Sequence, residues 1–338
     1  MQGVKNSMYK LLQINKLTKN SWDALIGLSS VATWFQSYAC YCFYKELSFL
    51  SPFVYAVEEK GELKALVCGY LIAEEGFVKR FFSRRAIIPG GVLLANDISE
   101  EALELLLSEL RSDLQRKAIY IELRNLHDYS AYKDIFQKTG FEYQPHLNYQ
   151  ISIDNGVDVF SNFSENRKRQ IKQSLAEGLV CEKTDRMEDV HSFYGILQHT
   201  YSKKLKLPLF PFEFFETRVS KAYGSLLVVK SEDKILGGIL CVGDGNVLYE
   251  WFVCGDDGEL PKVYPSVMAT RAGIEYAVNN GYLMFDFMGA GKPDRKYGVR
   301  DFKARFGGKL VEHGRFLYIC SPFLYFTGKI AITLRKLF

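Results

Sequence analysis

At 338 residues, 48% of them hydrophobic and 24% charged, the chain is long enough for two ordinary domains and too apolar for a disordered one. A net charge of +4 neither demands nor excludes nucleic acid, although a duplex reader usually shows a stronger basic field. The seven cysteines include no CxxC pair and the five histidines form no ligand-spaced cluster with them, so no metal site is expected. Met1 to Asn20 lacks a signal-peptide core, and no apolar run reaches the ~18 residues a membrane span needs. The expected location is the cytoplasm.

In chain order, the first strong signal is Phe53–Cys68, an apolar run, a polar turn at Glu59-Lys60-Gly61 and a second apolar run, which reads as a hairpin. Asp97 and Glu100 have capping-box spacing and open a helix whose Leu103, Leu106, Leu107 and Leu110 share one face. A strand at Ala118–Leu123 follows, then a helix over Tyr132–Lys138 closed by Gly140, then strands from Phe141 to Ile153. Asn162 and Glu165 repeat the capping spacing and begin a basic helix, at about 163–177, with Arg167, Lys168, Arg169 and Lys172.

The order then recurs. Leu226–Leu240 is a second hairpin, Pro265–Asn280 a helix stopped by Gly281, Leu283–Phe287 a strand, Val299–Phe306 a short helix stopped by Gly307-Gly308, and Leu310–Ile319 a final strand. Tyr132–Gly140 aligns with Val299–Gly307, matching Asp134 with Asp301 and Gly140 with Gly307, while Phe136 is replaced by Lys303. Internal duplication is the better account of this order. The last stretch, 323–338, is apolar with Lys329, Arg335 and Lys336 interleaved. A terminal helix packed on the core is the favoured expectation, and peripheral contact with the inner face of a membrane is the alternative.

Hairpin, helix, strand, helix, strand is the order of the GNAT acyltransferase fold. The blocks Phe285-Asp-Phe-Met-Gly-Ala-Gly291 and Tyr297-Gly-Val-Arg-Asp-Phe-Lys-Ala-Arg-Phe-Gly-Gly308 resemble the C-terminal signature of FemA/FemB-type peptidoglycan bridge aminoacyltransferases, the FemAB-like members of the GNAT superfamily. Trp34-Phe-Gln-Ser37 and the basic helix fit the same pattern. The fold class implied is α/β (α+β): two tandem GNAT-like units, mixed β-sheets flanked by helices, packed across a cleft. The units are expected at 1–155 and 156–338, the latter including the basic linking helix.

By the resemblance, Lys303 helps to stabilise the reacting centre, and the basic helix and Tyr201–Phe215 face the acceptor. The physical reading runs beside it. A desolvated cation at Lys303 can hold the oxygen that turns negative when an amine attacks an ester or thioester. Asp286 interrupts an apolar strand, where a carboxylate is costly unless paired. It either serves the chemistry as a base or orienting group, or accepts hydrogen bonds from the backbone of the loop at Gly289. Glu250, followed by Trp251 in Tyr249-Glu-Trp-Phe, lies on the strand expected to line the donor side; an alternating solvent-facing residue is the favoured reading and a catalytic carboxylate the alternative. Arg167 and Lys168 are candidates for acceptor phosphate or a tRNA acceptor stem. Tyr201, Lys204 and Glu213 are candidates for a substrate wall, and Trp251, Gly289, Tyr297, Phe302 and Arg305 complete the substrate-binding set.

Three departures from the family pattern stand out. No coiled-coil arm is present, since Lys203–Thr217 has no heptad run. No lysine follows the Gln-Ser pair where one is expected, and the residue before Pro211 is Phe210 rather than a basic one. The expected function is an N-acyltransferase that moves an acyl or aminoacyl group onto an amine of a cell-wall or surface-glycan precursor. No cofactor is expected, the donor being a co-substrate: aminoacyl-tRNA or acyl-CoA. The runner-up is a CoA-dependent N-acyltransferase of an amino sugar or lipid-linked glycan. Against it, Lys262–Met268 lacks the glycine-rich turn that cradles pyrophosphate. A non-catalytic binding module with the same fold is the third reading.

Overall fold

The structure, a computed structural model, describes residues 8–73, 83–153, 158–258 and 260–337. The chain divides into two compact units, residues 1–145 with 313–338, and residues 146–312.

In the first unit, β1 (Tyr9–Leu12), α1 (Lys19–Gly27), α2 (Tyr38–Glu46) and the hairpin β2 (Leu50–Glu59) and β3 (Glu62–Ile72) come first. They lead to β4 (Arg85–Gly90), β5 (Leu93–Leu94), α3 (Glu100–Leu114), β6 (Tyr120–Asn125), α4 (Lys133–Lys138) and β7 (Glu142–Gln144). The amphipathic pattern is realised on α3, where Leu103, Leu106, Leu107, Leu110 and Leu114 are buried in the unit's apolar core. The cap differs from the expected one. Ser99 is the N-cap and accepts from the Ala102 amide, whereas Asp97 pairs with Lys64 at 2.8 Å. Ser is as good a cap as Asp and stands next to the first helical residue, so it takes the role.

The second unit runs β8 (Leu147–Ser152), α5 (Glu165–Ala176), β9 (Leu179–Thr184), α6 (Met187–His199), α7 (Phe212–Ser220), β10 (Ser225–Ser231), β11 (Lys234–Gly243) and β12 (Val247–Gly255). It continues through α8 (Pro265–Asn279), β13 (Met284–Asp286), α9 (Gly298–Ala304) and β14 (Lys309–Glu312). Here too the cap moves by two residues: Ser164, not Asn162, accepts from the Arg167 amide at the start of α5. The chain then returns to the first unit through β15 (Arg315–Ile319) and α10 (Pro322–Leu337).

The two sheets have corresponding orders. Among the described residues, the first unit's sheet runs β1-β2-β3-β4-β6-β15-β7, with β5 also on β3, and the second unit's runs β14-β8-β13-β12-β11-β10-β9. In each, one parallel pair sits inside an otherwise antiparallel sheet: β4 with β6, and β12 with β13. This is where the structure departs from the expected organisation. Leu147–Ser152, assigned from the sequence to the first copy, pairs β13 and β14 in the second unit. The single final strand expected over Leu310–Ile319 is two strands, β14 in the second sheet and β15 in the first, paired with β6 and β7. Each copy therefore lends its last strand to the other's sheet. The division expected at 155/156 does not coincide with the compact units, and those two residues lie outside the described ones.

The glycine stop after α9 is a steric requirement. Gly307 has φ +79°, and a Cβ there would lie 2.3 Å from the Asn162 carbonyl oxygen. Only glycine permits both.

Candidate active site

The parallel pair β12–β13 is short. It covers Val247/Met284, Leu248/Phe285 and Tyr249/Asp286, and β13 then ends while β12 continues to Gly255. The strands part at Glu250 and Phe287, opening a fork at their carboxyl ends, the usual place for ligands in sheets with parallel strands. On the other side of β12 the register shifts: Leu240 faces Phe252 and Cys241 faces Glu250, leaving Trp251 as an extra residue. Such bulges re-aim side chains and recur beside active sites. The Trp251 ring is fixed by Phe214, edge-on at 5.0 Å, and by the Arg218 guanidinium at 4.2 Å.

Lys303 spans the fork. Its Nζ lies 3.1 Å from Glu250 Oε1 and donates to the carbonyl oxygens of Phe287 at 2.5 Å and Gly289 at 3.0 Å. The side chain is 7% exposed as a residue and Glu250 only 3%, so Glu250 does not face solvent as its alternation favoured. The inward orientation expected from the alignment with Phe136 is observed, since Phe136 is itself fully buried. All three ammonium hydrogens have acceptors in reach, so the lysine holds the loop and neutralises the carboxylate at once. Neither oxygen of Glu250 receives a well-aligned hydrogen bond among the described residues, in spite of the short approach of Lys303. Burial pushes the Glu250 carboxyl above the usual carboxylate range, and Lys303 opposes that rise.

Asp286 is fully buried, and three donors hold its carboxylate. Its oxygens accept from Asn148 Nδ2 and Gln150 Nε2, each at 2.8 Å, and from the Met288 amide at 2.6 Å. Asn148 Oδ1 in turn accepts from the Gly289 amide at 2.7 Å. With Met288 at φ +57°, the loop is strained, and this network over-determines it. At Gly291 (φ +77°) a Cβ would come within 2.8 Å of the Tyr297 ring, so the glycine lets Tyr297 lie against the loop. Arg300 adds a hydrogen bond to the Ala290 carbonyl at 2.9 Å.

The other candidates separate into two groups. Tyr201 packs 6.2 Å from the Phe252 ring of β12, and burial pushes its hydroxyl up to about 12. It lies on a wide π-type turn, Thr200–Leu205, a feature that frequently marks functional positions. The Gly289 carbonyl accepts from Lys303 in the fork, Trp251 follows Glu250 on β12, and Tyr297 lies against Gly291. Arg167 instead is buried beneath α9, stacked 4.2 Å from the Phe302 ring and 4.9 Å from Phe306, and donating to the Phe302 carbonyl at 3.1 Å. Arg167 and Phe302 therefore dock α5 on α9. Lys168 pairs with Glu165 on the surface at 2.9 Å. Arg305 is exposed, and its carbonyl accepts from the Ser164 amide at 2.9 Å. Glu213 is half-buried on α7; the Lys204 side chain lies outside what is described. The residues that sequence reasoning missed are Asn148, Gln150 and Arg218. For the first two the signal was present as the polar positions of the alternating strand Leu147–Ser152, with Asn148 and Gln150 on one face.

The N-terminus of α8 follows β12. Pro265 occupies its first turn and supplies no N–H. The Ser266 amide donates to Asp257 Oδ1 at 3.1 Å, and the Ser266 hydroxyl donates to the same carboxylate. An internal anion thus occupies the place where a helix would otherwise receive a phosphate. Among the described residues no group of three or more His, Cys, Asp or Glu could hold a metal ion.

The first unit's corresponding strand pair stays closed over a longer run. Its parallel pair runs for six residues, Arg85/Tyr120 to Gly90/Asn125. The Gly90 carbonyl beyond it accepts from Gln36 Nε2 at 2.9 Å and from the Tyr129 hydroxyl at 3.2 Å. Gln36 and Tyr129 fill that place.

A mixed sheet with one splayed parallel pair and a bulged strand is the GNAT-like arrangement expected from the order of elements. Residues 161–303 match the family model of the acetyltransferase (GNAT) domain. No curated protein matches the sequence. Three solved structures share the two-unit fold along nearly their whole length. FemX has a TM-score of 0.69 at 16% identity, over 94% of this chain and 99% of that one. A tandem GNAT protein from the clavulanic acid biosynthesis pathway has 0.58 at 10%, over 93% and 98%. L-PGS from Bacillus licheniformis has 0.57 at 12%, over 93% and 96%. The match over residues 161–303 and the two-unit fold shared with FemX support the FemAB-like resemblance.

Proposed function

We propose that the chain is an N-acyltransferase that moves an acyl or aminoacyl group onto an amine of a cell-wall or surface-glycan precursor, with the reaction in the fork of the second unit. The observation that carries this reading is the buried Glu250–Lys303 pair at the point where β12 and β13 part. A neutral amine attacks the ester or thioester carbonyl, the departing alcohol or thiol takes up one proton, and the nitrogen gives one up as the amide forms. Glu250, with its carboxyl raised by burial and its oxygens lacking well-aligned donors, is suited to take that proton. Lys303 supplies positive charge beside the reacting carbonyl and fixes the Phe287–Gly289 backbone. Trp251, Tyr201 and Tyr297 form apolar and aromatic walls that align the reactants.

The α8 terminus bears on the donor. Asp257 stands where the pyrophosphate of a CoA donor would be bound in a GNAT unit, and like charges there would repel. This favours a donor held in another way, such as the aminoacyl ester of a tRNA, and the precursor amine as acceptor follows from the FemAB-like resemblance. The test is transfer of labelled aminoacyl or acyl groups to precursor amines by the wild type and by Glu250→Gln. The variant keeps the shape of the side chain and removes the base. Turnover should fall by about 10²- to 10⁴-fold with acceptor affinity little changed. Near-normal turnover would remove Glu250 from the chemistry.

A further inference from the structure

Helix α10 carries an apolar stripe that the fold leaves uncovered. Its start is well anchored: the Cys320 and Ser321 amides donate to the Ile119 carbonyl at 2.9 and 3.0 Å. Tyr325 packs edge-on against Tyr120 of β6 at 5.5 Å. One side of the helix therefore rests on the unit, with Leu324, Tyr325 and Gly328 half-buried. On another side Phe323 is 76% exposed, Phe326 54% and Ile330 61%. These positions are i, i+3 and i+7, which is a single helical face. Three large apolar side chains presented together in this way differ from scattered surface hydrophobes, which need no account.

The charge around the stripe selects its occupant. No Asp or Glu follows Glu312 in the sequence, whereas Lys329, Arg335 and Lys336 do. Lys329 sits beside the stripe with its ammonium 4.4 Å over the Tyr325 ring. Among the described residues no helix is long and apolar enough to cross a membrane. A short helix with phenylalanines on one face, flanked by cations and free of anions, fits the plane of an anionic bilayer surface.

We propose that α10 docks the protein on an anionic bilayer through Phe323, Phe326 and Ile330, with Lys329 directed to the headgroups. The inference is independent of the acyl-transfer reading, because it concerns only a surface of the first unit. It places the enzyme where an amine acceptor attached to a lipid carrier would be found.

The experiment is vesicle flotation of the full chain with phosphatidylglycerol/phosphatidylcholine vesicles and with pure phosphatidylcholine vesicles. The wild type is compared with the triple variant Phe323→Ser/Phe326→Ser/Ile330→Ser and with Lys329→Glu. Sedimentation of the same proteins without lipid reports self-association. Binding to the anionic vesicles should fall with added salt, drop by roughly tenfold or more in the triple variant, and weaken in Lys329→Glu. Equal binding by wild type and triple variant would overturn the proposal, as would equal binding to neutral and anionic vesicles or no binding at all. A wild-type dimer that becomes monomeric in the triple variant, without flotation, would assign the stripe to a second copy instead and also overturn it. Unchanged melting of the variants confirms that the substitutions act on the surface.

Discussion

Removing the lysine from the fork should cost stability in a manner that depends on pH. Lys303→Met keeps most of the stem, deletes the cation 3.1 Å from Glu250 and deprives two backbone carbonyls of their donor. Breaking a buried ion pair at one partner costs about 3–5 kcal/mol, and for a unit spanning 146–312 each kcal/mol lowers the melting temperature by about 2–4 °C. A fall of roughly 10 °C near neutral pH is expected. The sign of the pH dependence follows from Glu250, whose folded-state carboxyl is already raised by burial. In the variant the opposing cation is gone and the carboxyl rises further. The folded state then holds a proton that the unfolded state has released above about pH 4.3. The variant's penalty is therefore small at low pH, where Glu250 is neutral in both states, and grows as pH rises toward the raised folded value. At low pH what remains is the loss of two hydrogen bonds, about 1–3 kcal/mol together. Thermal melts of wild type, Lys303→Met, Glu250→Gln and the double variant at about pH 5 and about pH 8 form a double-mutant cycle. A Lys303→Met penalty that is the same at both pH values, with a double variant no more stable than the single one, would show that Glu250 is not charged against Lys303. The electrostatic account of the fork would then fail.

Two further outcomes follow from the architecture. Residues 1–155 and 156–338 expressed separately should each be insoluble, because the cut leaves β8 with the half whose sheet it does not enter; two soluble halves with separate cooperative melts would refute the strand exchange. Millimolar CoA or acetyl-CoA should leave the melting temperature nearly unchanged, since a bound ligand stabilises by RT ln(1 + [L]/Kd) and Asp257 occupies the anion position on α8; a rise of several degrees would support the CoA-dependent alternative.

Much of the fold was legible because local patterns determine local elements. The leucine face of α3, the glycine stops at Gly140 and Gly307, and both hairpins can be read from periodicity and turn chemistry. The inward direction of Lys303 could be read from its duplicate, Phe136. What was not legible depends on partners far apart in the chain. The alternation of Leu147–Ser152 satisfies either sheet equally, so sequence proximity assigns it to the first copy, whereas β13 and β14 are the strands it pairs with. Likewise Arg167 reads as a surface cation in a basic helix until Phe302 and Phe306 are seen to receive it. Asp286 was open between chemistry and structure because its three donors come from Asn148, Gln150 and Met288, two of them more than a hundred residues away.

The duplication also shows how the two copies differ at equivalent positions. Both units have a parallel strand pair with a helix packed near its end, and in both the position on that helix points inward. In the first unit it is Phe136, stacked face to face on Phe316 with centroids 3.8 Å apart. Its strand pair stays zipped for six residues, and Gln36 and Tyr129 satisfy the carbonyl beyond. Among the described residues that arrangement holds no ion pair, and neutral side chains fill it. In the second unit the pair unzips after three residues, and the vacated place is taken by a lysine and a carboxylate whose burial is costly. A buried ion pair contributes little net stability compared with well-packed apolar residues, and the first unit shows that this fold accommodates such residues at the equivalent position. The second unit thus retains the costlier solution where the strands part and the loop is strained, and this is the setting in which the proposed reaction is placed.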